Sequence, residues 1–362
     1  MKYIVREGIK NKKDHGTFNA LGKARSDCEK IFNNNNYKLL NIESSFPIRN
    51  GLIGKIRQYI NYYQNDKAWY KELIKLDKGD IVAIQYPLAN KCSNFSRIIK
   101  RFNKKINFVL LIHDVDSIRY KDKKEELKIS KIRREKEEIG VISNSNYVIV
   151  HNSFMKKELE KMGVKNKNLF ELEIFDYLAD SIKPNKIKSD AVIIAGNLMK
   201  EKAKYLGELY KIKNVNFNLY GKGYESKEED KNIDYKGSFL PEELPSKLEG
   251  KFGLIWDGDS IDTCNGFYGQ YMRYNNPHKV SLYLVSEIPV IVWSKSAMSK
   301  FVEENKLGFS IDSLNDINKK IKKISDKEYD IMKTNCKKIS SKLLKGYYLS
   351  RIINEIEKMI LK

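Results

Sequence analysis

Short apolar runs alternate with amphipathic stretches along almost all of this 362-residue chain, and the alternation occurs twice. Runs at 2–5, 37–41, 80–86, 107–112, 147–150 and 168–172 have strand length and strand composition. Stretches of helical period lie between them. Leu52, Ile56, Tyr59, Ile60 and Tyr63 recur at helical spacing, and Asn152 or Ser153 can cap a helix that runs through Met162 and stops at Gly163. A polar, proline-bearing break at 180–189 then reads as a linker. Beyond it the pattern restarts, with strands at 191–195, 216–220, 252–256, 289–293 and 308–311 and helices near 201–210, 242–248, 279–286 and 297–304. Strands that alternate with helices make parallel sheets covered on both faces. Two such runs predict an α/β protein of two doubly wound domains with a cleft between them, one over 1–180 and one over 190–340. The tail from about Lys327 is helical. Leu343, Leu344, Tyr347, Tyr348, Ile352, Ile353, Ile356 and Ile360 give it an apolar face that packs on the body rather than anchoring in a membrane.

Composition narrows the function classes. A hydrophobic fraction of 41% supports sizeable cores. No apolar run reaches the roughly 18 residues a membrane span needs. The first residues read as a strand and not as a signal peptide, so a cytoplasmic location is expected. Four cysteines (Cys28, Cys92, Cys264, Cys336) and four histidines stand far apart, which argues against a disulfide framework and a zinc site. A net charge of +21 points either to a polyanionic neighbour or to a lysine-rich composition alone, since the lysines are spread along the whole chain. Zinc-finger, RNP-strand and helix-turn-helix patterns are missing, so nucleic acid is not the expected partner. Phosphorylated substrates and an anionic membrane face remain. The mixed-charge stretch 119–138 reads as one solvated helix, with a mobile flap as its rival.

There is no G-x-x-x-x-G-K-[ST] loop, no G-x-G-x-x-G after a strand and no G-x-S-x-G elbow. Ligand chemistry is therefore sought at strand ends, where open α/β sheets place it. The strongest stretch is Phe252 to Asp259 followed by Asn275-Asn276-Pro277-His278-Lys279-Val280-Ser281, a strand ending in acids and then a helix start rich in donors. Such a helix N-terminus is a phosphate cradle, with Lys279 as a point charge and Ser281 as a donor; His278 reads either as a ligand or as a core residue. Ala195-Gly196-Asn197, with Lys200 and Lys202, can meet a diphosphate, and glycine there permits close backbone approach. Tyr220-Gly221 offers an aromatic for a nucleobase, and Asp257 and Asp259 are acids that folding does not require. In the first half, His113-Asp114-Val115-Asp116 ends an apolar strand and supplies a candidate general base. The loop holding Asp14, Gly16 and Thr17 suggests that a substrate approaches the backbone there.

Taken together, 252–259, 275–284, 195–198, 112–116 and Ile174-Phe175-Asp176-Tyr177-Leu178 resemble bacterial β-1,6-galactofuranosyltransferases. The chain is more distantly similar to the glucosyltransferases that modify serine-rich repeat adhesins. The likeness is nearly full length and weakest at the N-terminal loop and the 121–138 insertion. It implies a GT-B fold, with an N-terminal acceptor domain, a C-terminal nucleotide-sugar domain and a C-terminal helix, 343–362, that crosses back to the first. It implies UDP-galactofuranose as donor substrate, no cofactor, and a glycan acceptor, often lipid-linked, in cell-surface polysaccharide assembly. Gly196, Asn197, Asn276, His278, Lys279 and Ser281 would line the diphosphate site, with Asn275, Lys202, Tyr220 and Gly221 beside it. Asp257 would sit near the sugar or ribose, and Gly16, Thr17 and His113 on the acceptor side. Asp257-Gly258-Asp259 has the letters of a metal-binding D-x-D but is read as the W-D-G-D motif of this family, so no metal is expected. A β-product from an α-linked donor requires inversion and hence one base, drawn from Asp14, Asp114 and Asp116, with Asp114 preferred. The alternatives are a UDP-glucose-dependent glucosyltransferase acting on a glycan or glycoprotein, and a catalytically silent nucleotide-sugar-binding partner. Peripheral contact with the inner membrane face is expected, and a homo-oligomer is left open.

Overall fold

Residues in Ile81–Tyr86 are all buried and those in Asn107–Ile112 nearly so, as in strands covered on both sheet faces. The structure, a computed structural model, describes residues 1–9, 20–44, 51–122, 127–179, 182 and 189–362. The break expected at 180–189 lies mostly outside them. The chain forms two compact units, one from 1–16, 28–172 and 350–362 and the other from 17–27 and 173–349.

In the first unit, β1 (Lys2–Ile9), β2 (Lys38–Ser44), β3 (Ile81–Tyr86), β4 (Asn107–Ile112), β5 (Tyr147–Val150) and β6 (Leu169–Glu171) form one sheet. Its order is β2-β1-β3-β4-β5-β6 and every pair is parallel. The connecting helices are α1 (Ala20–Asn34), of which 20–27 belong to the second unit, α2 (Gly51–Leu73), α3 (Phe95–Phe102), α4 (Asp116–Arg119), α5 (Lys128–Asn144) and α6 (Ser153–Lys161). Asn152 caps α6 by accepting from Phe154 N and Met155 N. The single charged helix predicted over 119–138 is not what forms. The chain makes the one-turn α4 and then α5, because the anchoring groups come late: Glu138, Val141 and Ile142 are the buried residues of α5.

In the second unit, β7 (Val192–Asn197), β8 (Phe217–Lys222), β9 (Ile233–Gly237), β10 (Phe252–Ile255), β11 (Val290–Trp293) and β12 (Gly308–Ile311) form a second all-parallel sheet in the order β12-β11-β10-β7-β8-β9. β9 is an edge strand of mixed polarity, Ile-Asp-Tyr-Lys-Gly with no fully buried residue, and so gave no apolar signal. Its helices are α7 (Leu244–Lys247), α8 (Gly266–Tyr271), α9 (His278–Val285), α10 (Met298–Glu304), α11 (Ile317–Lys323) and α12 (Asp326–Leu343). A 3-10 stretch, Lys204–Lys211, stands where a helix was predicted near 201–210.

The tail is two helices, α12 with a Ser325–Glu328 capping box and α13 (Tyr347–Ile360). From Ser350 onward α13 belongs to the first unit, as the C-terminal helix was expected to. Ile352, Ile353 and Ile356 are at most 2% exposed there. Glu357 pairs with Lys2 at 3.0 Å, and Asn35 donates to Ser350 Oγ at 2.9 Å. No helix among the described residues is long and apolar enough to cross a membrane.

Candidate active site

In the second sheet, β8 and β9 lie on one side of β7, and β10, β11 and β12 on the other. The strand order therefore reverses between β7 and β10, and a crevice opens at the carboxyl ends of those two strands. Gly196 and Asn197 end β7; Trp256 and Asp257 follow β10. Gly196 pairs with Gly221 in the ladder. At Gly221 φ is +149°, and a Cβ would lie 1.8 Å from Gly196 O, so only glycine lets the strand ends close. At Gly196, φ +136°, a Cβ would meet nothing within 4 Å, which leaves the backbone open to approach. Asn197 Oδ1 accepts from Met199 N at 2.9 Å and turns the chain.

Charge collects at this edge. Lys279 Nζ lies 2.9 Å from Asp257 Oδ1 and 3.1 Å from Trp256 O. Lys202 Nζ reaches the other Asp257 oxygen at 4.0 Å, and Lys204 stands 3.6 Å from Asp259. Asp257 is only 8% exposed, so it holds two ammonium groups at a nearly dry site. Three lysines against two aspartates leave a local excess of positive charge. The α9 N-cap, Pro277, makes no side-chain cap bond, so no cap side chain competes for the first amides of the helix. Phe267 and Tyr268 pack 4.2 Å apart beside Lys202, which lies 5.9 Å from the Tyr268 ring. This aromatic pair escaped the sequence reading, since nothing in a Gly-Phe-Tyr-Gly run marks it as facing a lysine.

Several expected donor-site residues have another task in this structure. Asn276 Nδ2 donates to Glu173 O at 2.9 Å, and Ser281 Oγ donates to Phe175 O at 2.5 Å. His278 Nε2 donates to Asp176 O at 3.3 Å while its ring stacks on Tyr177 at 5.1 Å. Burial pushes the His278 pKa down to about 4, so the ring is neutral. The same strip is held from α1, where Lys23 donates to Leu178 O and to both Asp27 oxygens, and Leu178 N donates to Asp27. Asp176 in turn accepts from Tyr348 N and Leu349 N at the start of α13. Asn276, His278 and Ser281 thus clamp 173–178, where the chain enters this unit, and Lys279 is the member of the cluster that meets Asp257. Asn275 Oδ1 is buried without a hydrogen-bond partner. Tyr220 is 2% exposed and its hydroxyl accepts from Glu249 N at 3.0 Å, so it is a core residue with no open face for a base.

In the first unit the order reverses between β1 and β3. Glu7, near the end of β1, accepts from Ala89 N at 2.7 Å and Asn90 N at 3.2 Å, fixing the loop after β3 at that point. In the sequence the only signal at Glu7 is a carboxylate near a strand end. His113 is 5% exposed and its Nε2 lies 2.7 Å from Gln85 Oε1. Asp114 pairs with Arg119 Nη1 at 3.0 Å. Asp116 opens α4, where its N–H and that of Ser117 each donate to the Glu138 carboxylate at 2.9 Å. Burial raises the Glu138 pKa to about 7 in spite of those bonds. Asp14, Gly16 and Thr17 lie outside the described residues. Among the described residues no group of three or more His, Cys, Asp or Glu is arranged to hold a metal ion.

Residues 4–174 match the family model of the N-terminal domain of glucosyltransferase 3-like proteins, and 192–356 match the model of the C-terminal domain. The β-1,6-galactofuranosyltransferase WbbI of Escherichia coli K12 is 33% identical over 293 residues, which cover 78% of this chain and 81% of that protein. Glucosyltransferase 3 of Streptococcus gordonii is 24% identical over 283 residues, covering 76% and 78%. Among solved structures, the sucrose-phosphate synthase of Thermosynechococcus elongatus is similar at a TM-score of 0.67 with 10% identity, covering 99% of both chains, a likeness of fold.

Proposed function

This chain belongs to the glucosyltransferase 3-like family and is a glycosyltransferase of GT-B fold, and from that premise we propose that it transfers galactofuranose from UDP-galactofuranose to a glycan acceptor. The observation that carries the donor side is the Lys279–Asp257–Lys202 cluster at the β7–β10 crevice. As the C1–O bond to UDP breaks, negative charge grows on the diphosphate. Lys279, Lys202 and the first amides of α9 would stabilise that charge, the task a metal ion performs in other transferases. Asp257 holds Lys279 in position before the donor arrives.

On the acceptor side a carboxylate takes the hydroxyl proton while the acceptor oxygen attacks C1 from the face opposite UDP, inverting the configuration. Asp114 is the preferred base, beside Asp116 and Asp14. The galactofuranose reading is supported by the likeness to WbbI. In the same proposal the enzyme acts in cell-surface polysaccharide assembly, with peripheral contact at the inner face of the membrane.

A second reading, transfer of glucose from UDP-glucose, is favoured by the family model itself. A panel of UDP-sugars with release of UDP as the readout decides between them. Turnover of UDP-galactofuranose that persists in excess chelator, with a β-linked product, is the expected result. Turnover of UDP-glucose alone refutes the first reading, and UDP binding without turnover of any donor marks a silent binding partner.

A further inference from the structure

The connections β2 to β3, β3 to β4 and β4 to β5 all step the same way across the first sheet. Right-handed crossovers therefore put α2, α3 and α5 in one layer on one face. α2 packs on α3 and α3 packs on α5. Each helix follows the carboxyl end of a parallel strand, so its N-terminal half lies toward the carboxyl edge of the sheet, the edge that carries Asp114.

The layer is not finished like a solvent face. α2 leaves Tyr59, Ile60 and Tyr63 at 57%, 50% and 57% exposure, and α5 opens with Leu127, Ile129 and Ile132 at 77%, 81% and 43%. Between these two apolar ends the outward residues of α3 are Arg97, Lys100 and Arg101. Arg57, Lys67, Arg133 and Lys136 flank them, and Lys67 Nζ lies 4.8 Å over the Tyr63 ring. Among the described residues of the three helices, Glu135 is the only exposed acid.

Exposed apolar groups gathered on one face mark a surface that something covers. The centre of a protein–protein interface is depleted of charge, whereas here the cations stand between the apolar ends. Isoleucine, leucine and tyrosine interleaved with lysine and arginine fit the boundary of a bilayer, where apolar groups reach the acyl chains and cations meet anionic headgroups. We propose that the α2–α3–α5 face docks this chain on an anionic lipid bilayer and so brings the carboxyl edge of its first sheet to a lipid-linked acceptor. The docking deepens the proposed membrane setting and rests on it.

The test is sedimentation of the full chain with vesicles of phosphatidylglycerol or of phosphatidylcholine, beside UDP calorimetry on the same samples. The chain should pellet with phosphatidylglycerol, pellet poorly with phosphatidylcholine, and be released as salt rises. Replacing Tyr59→Ser, Ile60→Ser and Tyr63→Ser together, or Arg97→Glu, Lys100→Glu and Arg101→Glu together, should cut partition at least about tenfold with UDP affinity unchanged. Wild type that stays in the supernatant, or variants that pellet like wild type, overturn the proposal. A wild-type dimer that the serine variant dissolves, without vesicle binding, also overturns it and makes a second copy the occupant. UDP binding without vesicle binding removes the docking surface and leaves the donor site; vesicle binding without UDP binding does the reverse.

Discussion

Lys279 and Ser281 sit two positions apart in one helical turn yet face different neighbours, the first Asp257 and the second Phe175 O. Their substitutions should separate in UDP affinity. Lys279→Ala is expected to weaken UDP binding by about 1–3 kcal/mol, a lost charge-assisted bond, and to cost stability as well, because Asp257 loses its nearer ammonium at a nearly dry site. Ser281→Ala is expected to lower stability by about 1 kcal/mol, because the buried hydrogen bond from Ser281 Oγ to Phe175 O is lost, and to leave UDP affinity nearly intact. Calorimetry and urea unfolding on both variants check the pair, and the reverse pattern would exchange their roles. Glu138 gives a pH signature. Its folded pKa of about 7 exceeds the ordinary 4.5, so the folded state holds a proton that the unfolded chain releases. That contribution is full below pH about 4.5, declines between there and pH about 7, and is absent above. At about 1.4 kcal/mol per unit the decline is about 3 kcal/mol. His151 and His278, pushed down to about 4, act in the opposite sense and cost stability as pH falls through their ordinary 6.5 toward 4. The difference between wild type and Glu138→Gln cancels them. Its change between pH 5 and pH 7.5, read from urea midpoints, should show the decline, and a difference that does not vary with pH rules it out.

At the scale of elements, the ends of β7 and β8 can come together only because Gly221 carries no Cβ opposite Gly196 O. In Gly221→Ala the new Cβ would meet Gly196 O at 1.8 Å with φ at +149°, so the strand ends must part. A loss above about 2 kcal/mol is expected, accompanied by weakened donor binding, since the Gly196 turn moves with it. Thermal unfolding and UDP titration of the variant measure both, and a variant as stable as wild type would show that the turn tolerates the parting. Most central strands were visible in the sequence because burial on both faces demands a continuous apolar run, as in Ile81–Tyr86. β9 was not, since an edge strand needs neither a buried face on both sides nor an unbroken apolar run. The helix predicted over 119–138 also failed for a local reason: its charges mark a solvated surface but carry no information about where the helix begins.

At the scale of the whole molecule, the last helix completes the first unit from the far end of the chain. Ile352, Ile353 and Ile356 are at most 2% exposed there. Ile353→Ala should therefore cost about 2–5 kcal/mol and lower the unfolding midpoint of that unit. A change below about 1 kcal/mol, read by denaturant titration, would mean that the unit stands without this helix.

The sequence by itself determined the two sheets, their parallel character and the apolar face of the tail, and it marked the strand ends as candidate ligand sites. These follow from periodicity and from the need to bury apolar runs, which are local properties of the chain. The division of labour within the Asn275–Ser281 cluster was decided only by the tertiary structure. Which donors meet the strip 173–178 and which meets Asp257 depends on partners about a hundred residues away for the first and about twenty for the second. The identity of a polar residue states that it needs a partner, but only packing settles which partner it finds.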